Sequence, residues 1–120
     1  MNILESREDY LERVLMLQKN GNRVRAIDIA KSMGYSKPSV SIALKKLREA
    51  GMITVDENGY LALTDEGKEI AMRVYERHEV ITSLLINLGV SKEIAEEDAC
   101  KIEHELSEET FDALKRHIKK

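Results

Sequence analysis

Three segments of the sequence carry side chains that bind transition metals. In the most compact of them, Cys100, Glu103 and His104 are spaced i, i+3 and i+4. On a helix, that spacing places a thiol, a carboxylate and an imidazole on one side. Groups of these kinds, converging from separate helices, are how helical proteins build transition-metal sites. The candidate ligands are Asp9, Glu12, His78, Cys100, Glu103 and His104.

Each segment alone also has a purely structural explanation. Asp9 and Glu12 fit the solvated acids of an exposed helix face. A single histidine such as His78 is commonly packed or hydrogen-bonded, and a lone cysteine is commonly a small buried hydrophobe. The combination Cys-x-x-Glu-His beside apolar residues favours a metal site, because its three ligand types share one helical face.

The charge of the chain is divided unevenly along its 120 residues. Residues 1–64 carry ten Lys and Arg against eight Asp and Glu, giving +2, whereas residues 65–120 carry nine against fourteen, giving −5. Within 22–51 the count is seven basic against two acidic. This asymmetry predicts a nucleic-acid face in the first half and a different task for the second.

Composition narrows the class of protein further. The sequence contains no apolar run long enough to span a membrane, so we expect no membrane partner. A single cysteine excludes an internal disulfide. The start of the chain also lacks the basic-then-apolar pattern of a signal peptide, and we expect a cytoplasmic protein.

The first half predicts a winged helix-turn-helix. Ser6 is a candidate cap for the first helix, and Ser36 with Pro38 is typical of the start of the third. Asn58-Gly59 is typical of a hairpin turn. Helical and alternating periodicities predict helices over 6–19, 25–33 and 36–50, and strands over 52–55 and 60–63.

The second half predicts three more helices. Periodicity and capping residues place them over 65–88, 92–106 and 108–118. We therefore predict a mainly α fold, in which a winged helix-turn-helix (1–64) is followed by an all-α dimerisation domain (65–120). Candidates for the dimer surface, which the core of a single chain would explain equally well, are Val80, Ile81, Leu84, Leu85 and Leu88.

Residues 36–50 form the predicted recognition helix, and its side chains suit DNA. Lysines and Arg25 suit phosphates, serines suit phosphates or base edges, and Pro38 and Ile42 suit thymine methyls. Its first turns contain no Arg, Asn or Gln, so DNA shape is expected to contribute to specificity. The acidic tip Asp56-Glu57 predicts a wing that stays away from phosphates. The candidate DNA contacts are Arg25, Ser36, Lys37, Pro38, Ser39, Ser41, Ile42, Lys45 and Lys46.

Five stretches, in order along nearly the whole chain, resemble the family of iron- and manganese-dependent transcriptional repressors, of the diphtheria toxin repressor and manganese transport regulator type. They are Glu8-Asp9-Tyr10-Leu11-Glu12, Pro38-Ser39-Val40-Ser41, Leu63-Thr64-x-x-Gly67, Arg77-His78-Glu79, and the run from Asp98 to Ser107. The resemblance implies a homodimeric repressor that senses Fe²⁺ or Mn²⁺ and binds a pseudo-palindromic operator in double-stranded DNA.

Carried over residue by residue, the resemblance implies that all six candidate ligands bind metal, with two departures. Cys100 stands where the manganese type has glutamate, and Asp9 stands where the iron type has methionine. The implied site is a hybrid whose thiolate shifts preference from Mn²⁺ towards Fe²⁺, Co²⁺ or Zn²⁺. A second family site would be incomplete, because Thr82 and Glu96 replace its glutamate and histidine ligands.

Two other functions compete with this interpretation. A winged-helix regulator of the multidrug-resistance type would sense an organic ligand without a metal, and the Cys-x-x-Glu-His face argues against it. A hydrolytic metalloenzyme would need a nucleophile, a general base and an open coordination position, none of which the pattern supplies. We therefore expect neither catalysis nor a small organic substrate.

Overall fold

The computed structural model describes the backbone of residues 3–118 and the side chains of residues 7–118. Contacts divide the chain into a first unit, Met1–Met72, and a second unit, Arg73–Lys120. None of the described helices is long and apolar enough to cross a membrane. The elements are α1 (Ile3–Leu17), α2 (Ala26–Met33), α3 (Lys37–Glu49), β1 (Ile53–Val55), β2 (Leu61–Leu63), α4 (Asp65–Asn87), α5 (Lys92–Ile102) and α6 (Glu108–Ile118).

This order confirms the predicted mainly α fold, with three helices and a hairpin followed by a helical half. The third helix begins as predicted. Ser36 Oγ accepts a hydrogen bond from the Ser39 backbone N–H at 3.3 Å, and Pro38 occupies the first turn. The helix buries Val40, Leu44 and Leu47 in a core shared with α1, α2 and the wing. That burial orients the opposite face of α3 outward.

The wing is a two-stranded antiparallel hairpin in which Ile53 pairs with Leu63. Asp56 Oδ1 accepts hydrogen bonds from the backbone N–H groups of Asn58 and Tyr60, both at 2.9 Å, which closes the turn. Tyr60, predicted to begin the second strand, lies just before β2 and instead forms an isolated bridge with Arg25. The wing is thereby attached to the start of α2.

Gly67, in the first turn of α4, lies against the backbone of Met52. A Cβ at this position would stand 2.0 Å from the Met52 carbonyl oxygen. Thr64 fixes the approach: its hydroxyl donates to the Gly51 carbonyl at 2.7 Å and accepts from the Gly67 N–H at 3.2 Å. The motif Leu63-Thr64-x-x-Gly67 is therefore a close helix–wing junction.

The second unit buries small and apolar side chains of α4, α5 and α6. Its buried apolar residues are Val74, Ile81, Ala95, Ala99 and Phe111. Of the predicted dimer-surface residues, Ile81 is buried within the single chain, so its assignment to a dimer surface is wrong. Leu88 is 72% exposed, and Val80, Leu84 and Leu85 are half-buried.

Two predicted helix limits differ from the structure by three residues or more. The first helix begins at Ile3, so Ser6, the predicted cap, lies within α1 and not at its start. The fifth helix ends at Ile102 and not at 106, and Glu103 is its C-terminal cap. The first error arises because Ile3, Leu4 and Glu5 contain no helix breaker. The second arises because Arg77 of α4 binds carbonyl groups of the segment that follows α5.

Candidate metal centre and nucleic-acid interface

Within the second unit, α4 and α5 bring three of the six predicted ligands together. One ligand atom each of His78, Cys100 and Glu103 lie within 4.8 Å of one another. His78 projects from the middle of α4, Cys100 from the last turn of α5, and Glu103 follows directly after α5. His104, the next residue, also lies beside Glu103. The second unit therefore gathers a thiol, a carboxylate and two imidazoles.

Glu103 lies at the centre of this group. Its side chain is fully buried, with Oε2 3.0 Å from His78 Nδ1 and Oε1 3.4 Å from His104 Nε2. Among the described residues, none donates a hydrogen bond to Oε1. A buried carboxylate is costly unless a cation or several donors compensate it. The donor set therefore fits a divalent transition metal, which would be held by nitrogen, sulfur and oxygen ligands.

The path of the chain after α5 differs from the prediction that Glu103 and His104 belong to the helix. Both lie in the turn that follows Ile102. The α-helical bond from the Glu103 N–H to the Ala99 carbonyl, 2.9 Å, is still formed, so Glu103 keeps the side of α5 that Cys100 occupies. The predicted juxtaposition of Cys100 and Glu103 thus survives, although α5 ends two residues before His104, the last residue of the ligand pattern.

Arg77 holds the segment 103–106 in place, a role that the sequence analysis did not assign. Its Nη1 donates to the Glu103 carbonyl at 3.1 Å and to the Leu106 carbonyl at 2.7 Å. Its guanidinium lies over the Phe111 ring, 5.2 Å from the centroid. These bonds satisfy two carbonyls that a continuing helix would have paired internally, which explains the early end of α5. The only sequence signal was the position of Arg77 directly before His78.

We expect Arg77→Ala to lower metal affinity by about 10- to 100-fold, as is typical when a residue that orients ligands is lost. Without its two hydrogen bonds, the Glu103 backbone is no longer fixed relative to His78. Calorimetric titration with Co²⁺ under reducing, anaerobic conditions measures the effect.

Lys115→Ala is the matched control, because it removes a cation of the same unit that makes an exposed 2.9 Å ion pair with Glu76. It should bind Co²⁺ as the unmodified chain does. Equal Co²⁺ affinity for Arg77→Ala and Lys115→Ala would contradict the positioning role.

The remaining predicted ligands, Asp9 and Glu12, belong to α1 in the first unit. Asp9 is half-buried and Glu12 is 5% exposed. Burial of a carboxylate on an otherwise amphipathic helix is unusual, because acids are almost never fully buried unless they are compensated. Glu12 is therefore not a solvated acid of an exposed helix face, which was the alternative to a ligand role.

The predicted DNA contacts are exposed side chains of α3 and its N-terminal cap, together with Arg25 at the start of α2. Ile42, 59% exposed, marks the middle of the α3 face opposite its buried residues. The Ser36 hydroxyl is already engaged in capping and also donates to Ser39 Oγ at 2.9 Å, so Ser39 is better placed to donate outward. All nine predicted contacts are exposed: Arg25, Ser36, Lys37, Pro38, Ser39, Ser41, Ile42, Lys45 and Lys46.

The base of the wing adds a second cation that the sequence analysis did not select. The guanidinium of Arg25 lies 4.4 Å from the Tyr60 ring centroid, and that of Arg23 lies 5.0 Å from it. One aromatic ring thus supports two exposed cations beside the hairpin. The wing tip, by contrast, uses the Asp56 carboxylate to close its turn, in keeping with its acidic sequence.

Known proteins with similar sequences and structures match the chain over nearly its whole length. It is 38% identical to the transcriptional regulator MntR of Escherichia coli over 113 residues, covering 94% of this chain and 73% of that protein. It is 34% identical to the HTH-type regulator MJ0568 of Methanocaldococcus jannaschii, covering 97% and 94%. The structure of the manganese regulator SloR matches with a TM-score of 0.84 and 28% identity over 94% of this chain. The chain spans about half, 53%, of that regulator's length.

Two family models divide the chain between them. Residues 2–63 match the iron dependent repressor N-terminal DNA binding domain. Residues 64–120 match the iron dependent repressor metal binding and dimerisation domain. The chain therefore belongs to the iron-dependent repressor family of metal-dependent transcriptional regulators.

Proposed function

We propose that this chain is a homodimeric repressor in which a divalent metal ion controls binding to a pseudo-palindromic operator. Residues 1–64 bind DNA, and residues 65–120 bind metal and dimerise. The observation that carries the proposal is the buried Glu103 carboxylate between His78 and His104, with the Cys100 thiol nearby. A small domain that buries such a group for structure alone would lose stability.

The proposed ligand set joins the two halves of the chain. His78, Cys100, Glu103 and His104 supply the ligands of the second unit, and Asp9 and Glu12 of α1 complete the set. In the metal-free state, the anionic groups of this set disfavour one another. A divalent cation held by these residues would neutralise them and would link the ligands of α1 to those of the segment 103–106. The two recognition helices of a dimer are then fixed at the spacing of successive major-groove half-sites.

The ligand types of this chain favour iron, cobalt or zinc over manganese. Thiolate is a softer ligand than carboxylate and prefers softer metals. The MntR relatives, and a structure described as a manganese-dependent repressor complex with manganese, are similar to this chain at 38% and 26% identity. We propose Fe²⁺ or Mn²⁺ as the physiological effector, with Cys100 setting the preference towards Fe²⁺ and allowing Co²⁺ or Zn²⁺.

We expect Cys100→Glu to raise Mn²⁺ affinity and lower Zn²⁺ affinity, each by roughly tenfold, because a hard ligand replaces a soft one. Anaerobic calorimetry of the reduced chain with Mn²⁺, Fe²⁺, Co²⁺ and Zn²⁺ measures both changes and the number of ions per chain. Glu96→Ala, which alters an exposed acid of the same helix, should leave both affinities unchanged. Unchanged Mn²⁺ and Zn²⁺ affinities in Cys100→Glu would show that the thiol is not a ligand.

Exposed apolar side chains of the second unit support the homodimer. Ile86, Leu88, Ile94 and Ile102 are all at least 36% exposed, although α4 and α5 bury other apolar residues. Large apolar side chains are buried at protein–protein interfaces when they form a contiguous patch. We propose a second copy of the chain as its partner, in line with the dimerisation domain that residues 64–120 match.

The proposed role is regulation by binding, without catalysis, and it places the chain with the DNA in the cytoplasm. The multidrug-resistance type of regulator is not favoured, because it leaves the buried Glu103 and its two histidines unexplained.

A further inference from the structure

A groove with a cavity volume of about 290 Å³ lies between α1 and α3 in the first unit. Its apolar floor includes Tyr10 and Leu47, which are buried. Arg7 borders the groove from α1 and Lys46 from α3, so two cations stand beside one opening. None of the metal-site residues of the second unit takes part in it.

Neither cation of the groove is compensated by another side chain in the described range 7–118. Among side chains 7–118, those of Arg7 and Lys46 make no ion pair or hydrogen bond. Arg7 is half-buried and borders the opening of the groove. A cation without a charged partner gains from an anion, and the fork of a guanidinium suits a phosphate. The groove is therefore suited to an anion that comes from outside the chain.

The position of the groove beside α3 indicates which anion arrives there. A helix is about 10–12 Å across with its side chains, and the major groove of B-DNA is about 12 Å wide. A recognition helix in that groove therefore has a phosphate backbone on each flank. Ile42 lies at the centre of the exposed α3 face, and Ser39 and Lys46 lie on the flank towards α1. A backbone on this flank passes the mouth of the groove.

We infer that Arg7, together with Lys46, binds a backbone phosphate of the DNA on the α1 side of the recognition helix. Arg7 thus extends the DNA-binding surface from α3 to α1. The inference rests on the proposed function, because it requires α3 to enter the major groove. A phosphate contact positions the protein without reading sequence, so the effect is equal on operator and random DNA.

The test is the salt dependence of DNA binding by the metal-loaded chain to a random-sequence duplex. Removing one phosphate contact lowers the slope of log K against log salt by about 0.9, equivalent to roughly eightfold weaker binding per chain at 0.1 M salt. Arg7→Ala is expected to show this change. Arg7→Lys, which keeps the charge, is expected to retain the slope. Lys92→Ala, which removes an exposed cation in the first turn of α5, is expected to retain it as well.

The outcomes separate this inference from the function on which it rests. Metal-dependent binding by the unmodified chain, with the same slope for Arg7→Ala, would overturn the inference alone. Failure of the unmodified chain to bind duplex DNA with metal would overturn the proposed function first. Metal affinity of Arg7→Ala, measured by calorimetry, should be unchanged. A loss of that affinity would place the effect at the metal site and would also overturn the inference.

Discussion

Replacing Glu103 with glutamine is expected to lower metal affinity by more than about 100-fold, beyond the range typical of residues that only orient ligands. The amide is nearly isosteric, so packing around α5 is preserved, but the central anionic oxygen ligand is lost. The buried carboxylate lies 3.0 Å from His78 and 3.4 Å from His104, so it supplies the oxygen ligand between two imidazoles. Calorimetry with Co²⁺ measures the loss.

The metal-free stability of the same variant distinguishes a ligand from a structural residue. Because burial of the Glu103 carboxylate with an unsatisfied Oε1 costs stability, metal-free Glu103→Gln should unfold at the same temperature as the unmodified chain or higher. Glu105→Gln, at an exposed position two residues later, makes the same chemical change and should alter neither property. Loss of stability in Glu103→Gln without loss of Co²⁺ binding would contradict the assignment.

Gly67→Ala is expected to destabilise the chain by about 3 kcal/mol, the upper end of the usual cost of overpacking. The new Cβ would stand 2.0 Å from the Met52 carbonyl oxygen and 2.9 Å from its carbon. Both atoms are backbone, so the helix–wing junction must open to admit the methyl group. A fall in Tm of roughly 10–15 °C follows for a chain of this size. Thermal unfolding followed by circular dichroism measures it.

The sign of the stability change in Gly67→Ala distinguishes a close backbone contact from an ordinary helix position. An alanine in place of a helical glycine otherwise stabilises by about 1 kcal/mol. Glu69→Ala, at an exposed position of α4, serves as the control and should shift stability by less than about 0.5 kcal/mol. A Gly67→Ala variant as stable as Glu69→Ala would show that Met52 does not approach α4 so closely.

Local chemistry made the recognition helix predictable. Ser36 and Pro38 specify its start, and the spacing of Val40, Leu44 and Leu47 specifies its buried face. These signals lie within one helix and need no tertiary information. The outward orientation of the predicted DNA contacts follows from the same periodicity.

The end of α5 and the roles of Arg77 and Arg7 depend on contacts between distant parts of the chain. Arg77 reaches carbonyls 26 and 29 residues away, so no local pattern shows that α5 ends at Ile102. Arg7 and Lys46 meet only because α1 packs beside α3. The ligand spacing of Cys100 and Glu103 was predictable because one helical turn relates them, even though the helix then stops.

The stacking of Arg23 and Arg25 on Tyr60 was missed for a similar reason. Charge counting located the basic segment, but the ring that orders these two side chains comes from the wing. The bridge between Arg25 and Tyr60 joins residues 35 positions apart in sequence. A bridge between residues so far apart in sequence depends on how the whole first unit folds.

The affinity of the chain for duplex DNA with and without metal tests the central claim most directly. A duplex selected from a random pool in the presence of Co²⁺ would be titrated by fluorescence anisotropy, with saturating Co²⁺ and with chelator. We predict binding roughly 100-fold tighter with metal, near the upper end of typical coupling between two sites. Equal affinity in metal and in chelator would contradict the account, because metal would then have no control over DNA binding.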